Sequence, residues 1–126
     1  MHPDLYLDHI VLRVRNVAET QMFWDALLGE PASKSEESLM YMVGPTRLFF
    51  TSSPCESANV YDKERIGLNH LAFGVRSSKE LRNMVEYLDY AGLENSGVRI
   101  DRYGQKEFVW MDDPNGFRVE FYCRPE

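Results

Sequence analysis

The chain has little that would anchor it, staple it or draw it to a polyanion. It carries two cysteines, Cys55 and Cys123, too few for a disulfide framework. No apolar run approaches the roughly 20 residues that span a bilayer. The start, MHPDLYLDH, lacks a basic segment followed by an apolar one, so no signal peptide is visible and a reducing cytoplasm is the expected location. Basic residues are in the minority: 14 Lys and Arg against 20 Asp and Glu give a net charge of −6. That balance argues against nucleic acid and anionic membranes as main partners, since both require clustered cations. Histidine is also scarce, with three in 126 residues. His2 is terminal, and the other two occupy matched places.

LDHIVLRVR at 7–15 returns as LNHLAFGVR at 68–76, with His9 and His70 in register at a constant offset of 61. Each copy is followed by a helix start. Asn16 with Glu19, and Ser77 with Glu80, have the spacing at which a short polar side chain and a Glu satisfy first-turn N–H groups. Phe23, Trp24, Leu27 and Leu28 then form one apolar stripe; Leu81, Met84, Val85, Leu88 and Ala91 form the other. Gly29 and Gly92 stand where a left-handed residue ends a helix. Strand-like runs follow at 30–36, 39–43 and 47–51, and again at 97–103, 107–111 and 117–123. Turn chemistry separates the last two of each set, GPT at 44–46 and DPNG at 113–116. The chain therefore reads as two tandem β-α-β-β-β modules, about 5–52 and 68–123, joined by a polar linker at about 53–67. Neither half, at about 60 residues, buries enough surface to be comfortable alone, so a single α+β domain over 1–126 is expected.

Strand alternation gives each module two faces. Ile10, Leu12 and Val14 go under the first helix, as do Leu71, Phe73 and Val75 under the second. His9 and His70 then point to the opposite face. So does Glu120 in RVEFYC, whose counterpart in RLFFTS is Phe49. A single strand histidine is most often a hydrogen-bonded structural residue. Two in symmetric places with a carboxylate make the donor set that holds a metal by one face and leaves positions open. Parity alone does not bring the three together.

These segments, LDHIVLRV, GLNHLAFGV and DPNGFRVEFY, resemble the vicinal oxygen chelate superfamily. Its members include glyoxalase I, extradiol dioxygenases, fosfomycin-modifying transferases and bleomycin-binding proteins. The resemblance implies that the modules join edge to edge into a cupped, barrel-like mixed sheet with the helices outside. It implies a divalent metal (Fe, Mn, Ni or Zn) held by His9, His70 and Glu120. Phe49 stands where glyoxalase I has a fourth, glutamate ligand, which disfavours that chemistry. Val11 stands where the fosfomycin transferases have a threonine, and no counterpart of their lysine and potassium loop is visible. Parity and the family alignment together place Tyr41, Phe49, Trp110 and Tyr122 as an aromatic wall of the cup. Arg13, Arg47 and Arg118 share the ligands' parity and suit an anionic substrate group.

The resulting expectation is a metal-dependent enzyme, dioxygenase-like or a glyoxalase-like lyase or isomerase. Its substrate would be a small molecule that chelates the metal through vicinal oxygens. The competing reading is a metal-free binder of a small molecule or drug, as in the bleomycin-resistance proteins. A homodimer is expected, with each site built within one chain or from two. No residue identifies itself as a general base.

Overall fold

Alternation in the strands and capped apolar stripes in the helices produce the same unit twice. The computed structural model describes residues 2–55 and 61–125. It divides into two compact units, Met1–Asn59 and Val60–Glu126. The linker expected at 53–67 falls at this boundary, and its residues 56–60 lie outside the described residues.

The first unit runs β1 (His9–Val14), α1 (Val17–Leu28), β2 (Ser33–Lys34), β3 (Ser38–Val43) and β4 (Thr46–Ser52). Its sheet order is β1-β4-β3-β2. β1 lies parallel to β4, and the other pairs are antiparallel. A parallel pair needs a crossover, and α1 supplies it. The second unit repeats the plan with β5 (His70–Val75), α2 (Ser78–Tyr90), β6 (Arg99–Ile100), β7 (Glu107–Asp112) and β8 (Arg118–Cys123), in the order β5-β8-β7-β6. The α+β class and the duplicated β-α-β-β-β module are as expected. The runs 30–36 and 97–103 are a partial exception. Each pairs over only two residues, Ser33–Lys34 and Arg99–Ile100, and is otherwise irregular.

The helix starts follow their side chains. Asn16 Oδ1 accepts from the Glu19 N–H at 2.8 Å, and Ser77 Oγ accepts from the Glu80 N–H at 3.1 Å. The Glu80 carboxylate reaches back to the Arg76 N–H at 2.9 Å, one residue before the cap. After the helices, Gly29 and Gly92 take φ of 81° and 75°, conformations that a Cβ would strain.

Each core lies between a sheet and its helix. In the first unit Trp24, Leu27, Leu39, Leu48 and Phe50 are buried, with the Trp24 and Phe50 rings 4.7 Å apart. In the second, Leu81, Leu88, Val109, Met111, Val119 and Phe121 fill the same role. Helix α1 lies over β3 and β4 rather than β1. Ile10 and Leu12 are therefore only half-buried, although they occupy the helix side of the sheet. Leu71 and Phe73 of β5 are half-buried as well. In each unit the histidine strand is the sheet's edge.

Candidate functional site

Strand register carries His70 and Glu120 onto one face. In the β5–β8 ladder His70 pairs with Arg118, Ala72 with Glu120 and Gly74 with Tyr122. Alternation puts Val119 and Phe121 in the core, which turns Glu120 and Tyr122 the other way. His70 Nε2 lies 3.6 Å from Glu120 Oε1. Two ligands about 2.0–2.2 Å from one ion, at angles of about 90–115°, are themselves roughly 3.0–3.6 Å apart. The pair therefore fits adjacent positions on a metal.

Both imidazoles are oriented by the residue that precedes them. His70 Nδ1 is 2.8 Å from Asn69 Oδ1, while Asn69 Nδ2 donates to the Lys63 carbonyl at 2.9 Å. That second bond fixes the amide with its oxygen toward the ring, so Nδ1 carries the proton. His9 Nδ1 is 2.7 Å from Asp8 Oδ2. The His9 hydrogen bond, with the Arg47 guanidinium 3.7 Å away, holds the Asp8 carboxyl below its usual value. An imidazole that donates from Nδ1 in its neutral form keeps the Nε2 lone pair, the state a metal needs. Asp8 and Asn69 sit just ahead of their strands, where the pleat does not force neighbours onto opposite faces. Sequence reading missed both, although the signal was there: an oxygen-bearing side chain immediately before each histidine.

The first unit offers His9 with a different neighbour. Val11 pairs with Phe49 as Ala72 pairs with Glu120, so Phe49 does take the glutamate's place. Its ring stands edge-on to His9, 6.0 Å between centroids. Within neither unit do three His, Cys, Asp or Glu side chains cluster among the described residues.

A cleft of about 970 Å³ opens on the face of the second unit away from α2. His70 and Glu120 line it, with Ala72 and Gly74 as a low floor and Phe108 and Tyr122 as aromatic wall. Phe108 and Tyr122 stack at 6.2 Å. The Tyr122 hydroxyl donates to Asp101 Oδ2 at 2.8 Å, and Asp101 also accepts from the Tyr103 and Gly104 N–H groups. These bonds hold the Asp101 carboxyl below its ordinary value, and the Asp101 acceptor raises Tyr122 above its own. Asp101, Tyr103, Phe108, Arg76 and Arg124 were not foreseen as lining residues. Phe108 shares the parity of Trp110, and Arg76 and Arg124 that of the ligands, so part of the signal lay in the strands.

Tyr41 requires correction. It is 1% exposed and faces α1, where its hydroxyl donates to Asp25 Oδ1 at 2.8 Å. Burial, then the Asp25 acceptor, pushes its pKa far up. It is a core residue and is not among those that line the cleft. Tyr41 and Trp110 are each three residues before a turn, but the turns differ in length. Val43 pairs with Thr46, whereas Asp112 pairs with Arg118 across a longer loop. Trp110 pairs with Glu120 and Met40 with Phe49, so Met40 is the counterpart of Trp110.

Trp110 and Arg118 are outside the cleft lining and engage each other, the guanidinium 3.9 Å above the indole. Arg118 Nε also donates to Asp112 Oδ1 at 2.7 Å. Arg13 donates to the Ser52 carbonyl at 3.0 Å. Asp113, in the turn before β8, accepts from the Asn115 and Phe117 N–H groups, as its turn chemistry implied.

Comparison with known proteins gives a consistent result. The family model for the Glyoxalase/Bleomycin resistance protein/Dioxygenase superfamily matches residues 6–121. The protein YaeR of Escherichia coli K12 is 26% identical over 122 residues, covering 90% of this chain and 92% of its own. A glyoxalase-like protein of Bacillus halodurans superposes with a TM-score of 0.81 at 26% identity, covering 94% of this chain and 95% of its own. A glyoxalase family protein of Enterococcus faecalis gives 0.75 at 23% identity, covering 93% and 96%.

Proposed function

The chain belongs to the Glyoxalase/Bleomycin resistance protein/Dioxygenase superfamily, and on that premise we propose that it is a metal-dependent enzyme for a small molecule with two adjacent oxygens. The ligands in this reading are His9, His70 and Glu120. The observation that carries it is the pair of Nδ1 tethers, Asp8 to His9 and Asn69 to His70. A strand histidine with a merely structural role has no need of a second-sphere acceptor that frees Nε2. Metal-ligating histidines generally have one.

A divalent cation bound there supplies Lewis acidity toward negative charge developing on the substrate's oxygens. The chain's own residues do the rest. Asp8 and Asn69 keep the imidazoles in one tautomer. Phe108 and Tyr122 flank the substrate's body. Phe49 offers neither a ligand nor a proton acceptor, which favours dioxygenase-like, lyase or isomerase chemistry that dispenses with a fourth carboxylate.

The proposal includes assembly. β1 and β5 are edges with half-exposed apolar residues on the helix side, and such edges are hazardous unless covered. A homodimer in which histidine strands are covered accounts for both, with His9 supplied by the same chain or by a second copy.

The test is metal content by elemental analysis. Wild type, purified without tag or chelator, is run beside His9→Ala, His70→Ala and Glu120→Ala. About one transition metal per chain, lost in all three folded variants, is the expected result. No metal after reconstitution with Fe(II), Mn(II), Ni(II) and Zn(II) sinks the proposal. Ligand binding unaffected by chelator then favours the metal-free binder.

A further inference from the structure

The β5–β8 ladder is a graded track. His70 and Glu120 occupy one end of the cleft. Ala72 and Gly74 follow along β5, and Tyr122 along β8. Pairing continues past the strand ends, where the Arg124 N–H donates to the Val75 carbonyl at 2.8 Å. That bond sets Arg76 and Arg124 side by side, both lining the far end of the same cleft. Arg76 and Arg124 thus both line one pocket, with Asp101 near enough to Arg124 to be held down by its charge, in a chain whose net charge is −6.

Arg124 is also positioned. Its guanidinium lies over the Tyr122 ring at 5.0 Å, and the Tyr122 hydroxyl is pinned to Asp101. The space between the ends is open: a carbon added to Gly74 meets no atom within 4 Å. Glycine in a strand interior loses packing and entropy, and it often marks where a ligand approaches the backbone. Glu120 to Arg124 spans about 13 Å of strand, which the reach of an arginine shortens to roughly 7–10 Å.

We propose that the Arg76–Arg124 pair binds an anionic group of the substrate, a carboxylate or phosphate, whose flat body crosses Gly74 and whose vicinal oxygens lie at His70 and Glu120. The substrate class is therefore an elongated organic anion, chelating at one end and charged at the other. This rests on the metal-site reading for the chelating end only.

The probe pair is dihydrocaffeate, a catechol with a short carboxylate tail, and its neutral amide. Each is titrated calorimetrically into the metal-reconstituted protein, with metal content measured on the same samples. Wild type should prefer the acid by about tenfold or more, the scale of a charge-assisted contact at a partly exposed site. Arg76→Gln and Arg124→Gln should bring the two affinities together while metal content is kept. Gly74→Val, a strand-compatible change, should weaken both probes and spare the metal. A wild-type preference near one, no binding of the acid, or unchanged binding by Gly74→Val overturns the inference. Metal present with no preference leaves the metal reading standing. Metal absent with an arginine-dependent preference supports the anion site and refutes the metal.

Discussion

In the proposed site Asp8 and Asn69 are positioning residues, each beside an imidazole. Each tethers an imidazole through Nδ1 and leaves Nε2 able to accept a cation. Asn69→Ala or Asp8→Ala should weaken metal binding about 10- to 100-fold, read by competition with a chelator, without moving the urea midpoint. Unchanged metal affinity in both would refute the positioning role. Tyr41 illustrates the opposite case, a polar aromatic whose hydroxyl serves the core. Tyr41→Phe should cost about 1–2 kcal/mol in urea unfolding, because the part-buried Asp25 carboxylate loses a donor. Metal content should not change. The ligand candidates were legible because strand alternation assigns a face to every residue. Tyr41 was misplaced because counting back from a turn holds register only when the two turns have equal length. Arg76, Arg124 and Asp101 escaped notice for another reason: they gather from a strand's extension, a chain end and a loop.

Among elements, the turn that begins at Asp101 best shows a side chain setting backbone. Asp101 accepts from two N–H groups of its own turn and from the Tyr122 hydroxyl on β8. The Tyr122 hydroxyl and the turn's N–H groups hold its carboxyl below the ordinary carboxylate value in the folded chain. The stabilisation is therefore complete above that ordinary value and is lost as pH falls through the lower, folded one. Acidification through that lowered value should release the Tyr122 ring, seen as averaging of its NMR signals. In Asp101→Asn the acid transition should be absent; its persistence would assign the change elsewhere. The helices and the long strands were readable from caps, stripes and alternation. The short strands β2 and β6 were not, because only their pairing with β3 and β7 distinguishes them from loop.

At the scale of the whole molecule, the internal repeat was the most legible feature, and together with the DPNGFRVEFY segment it carried the resemblance to the family that the family model matches. What no pattern of residues states is whether the β1 and β5 edges take a partner strand. Edge pairing is a contact between backbones, and backbones carry little signature of their partner. Ile10 and Leu12 are only half-buried, and Leu5, Tyr6, Leu7 and Val11 are exposed. A dimer that covers β1 should be weakened by Leu12→Lys, because an edge lysine resists pairing. Sedimentation should show a shift toward monomer with the circular dichroism of the fold retained. A wild type that is monomeric at every concentration would exclude this arrangement.

The tethers of His9 and His70 come from the position immediately before each ring. The orientation of each imidazole is thus a local property of a few consecutive residues. Such an oriented imidazole is portable. It remains correctly poised whether its counterpart belongs to the same polypeptide or to another, and duplication or exchange of modules carries it along intact. A lineage built from this unit can redraw its quaternary arrangement without redesigning the histidines.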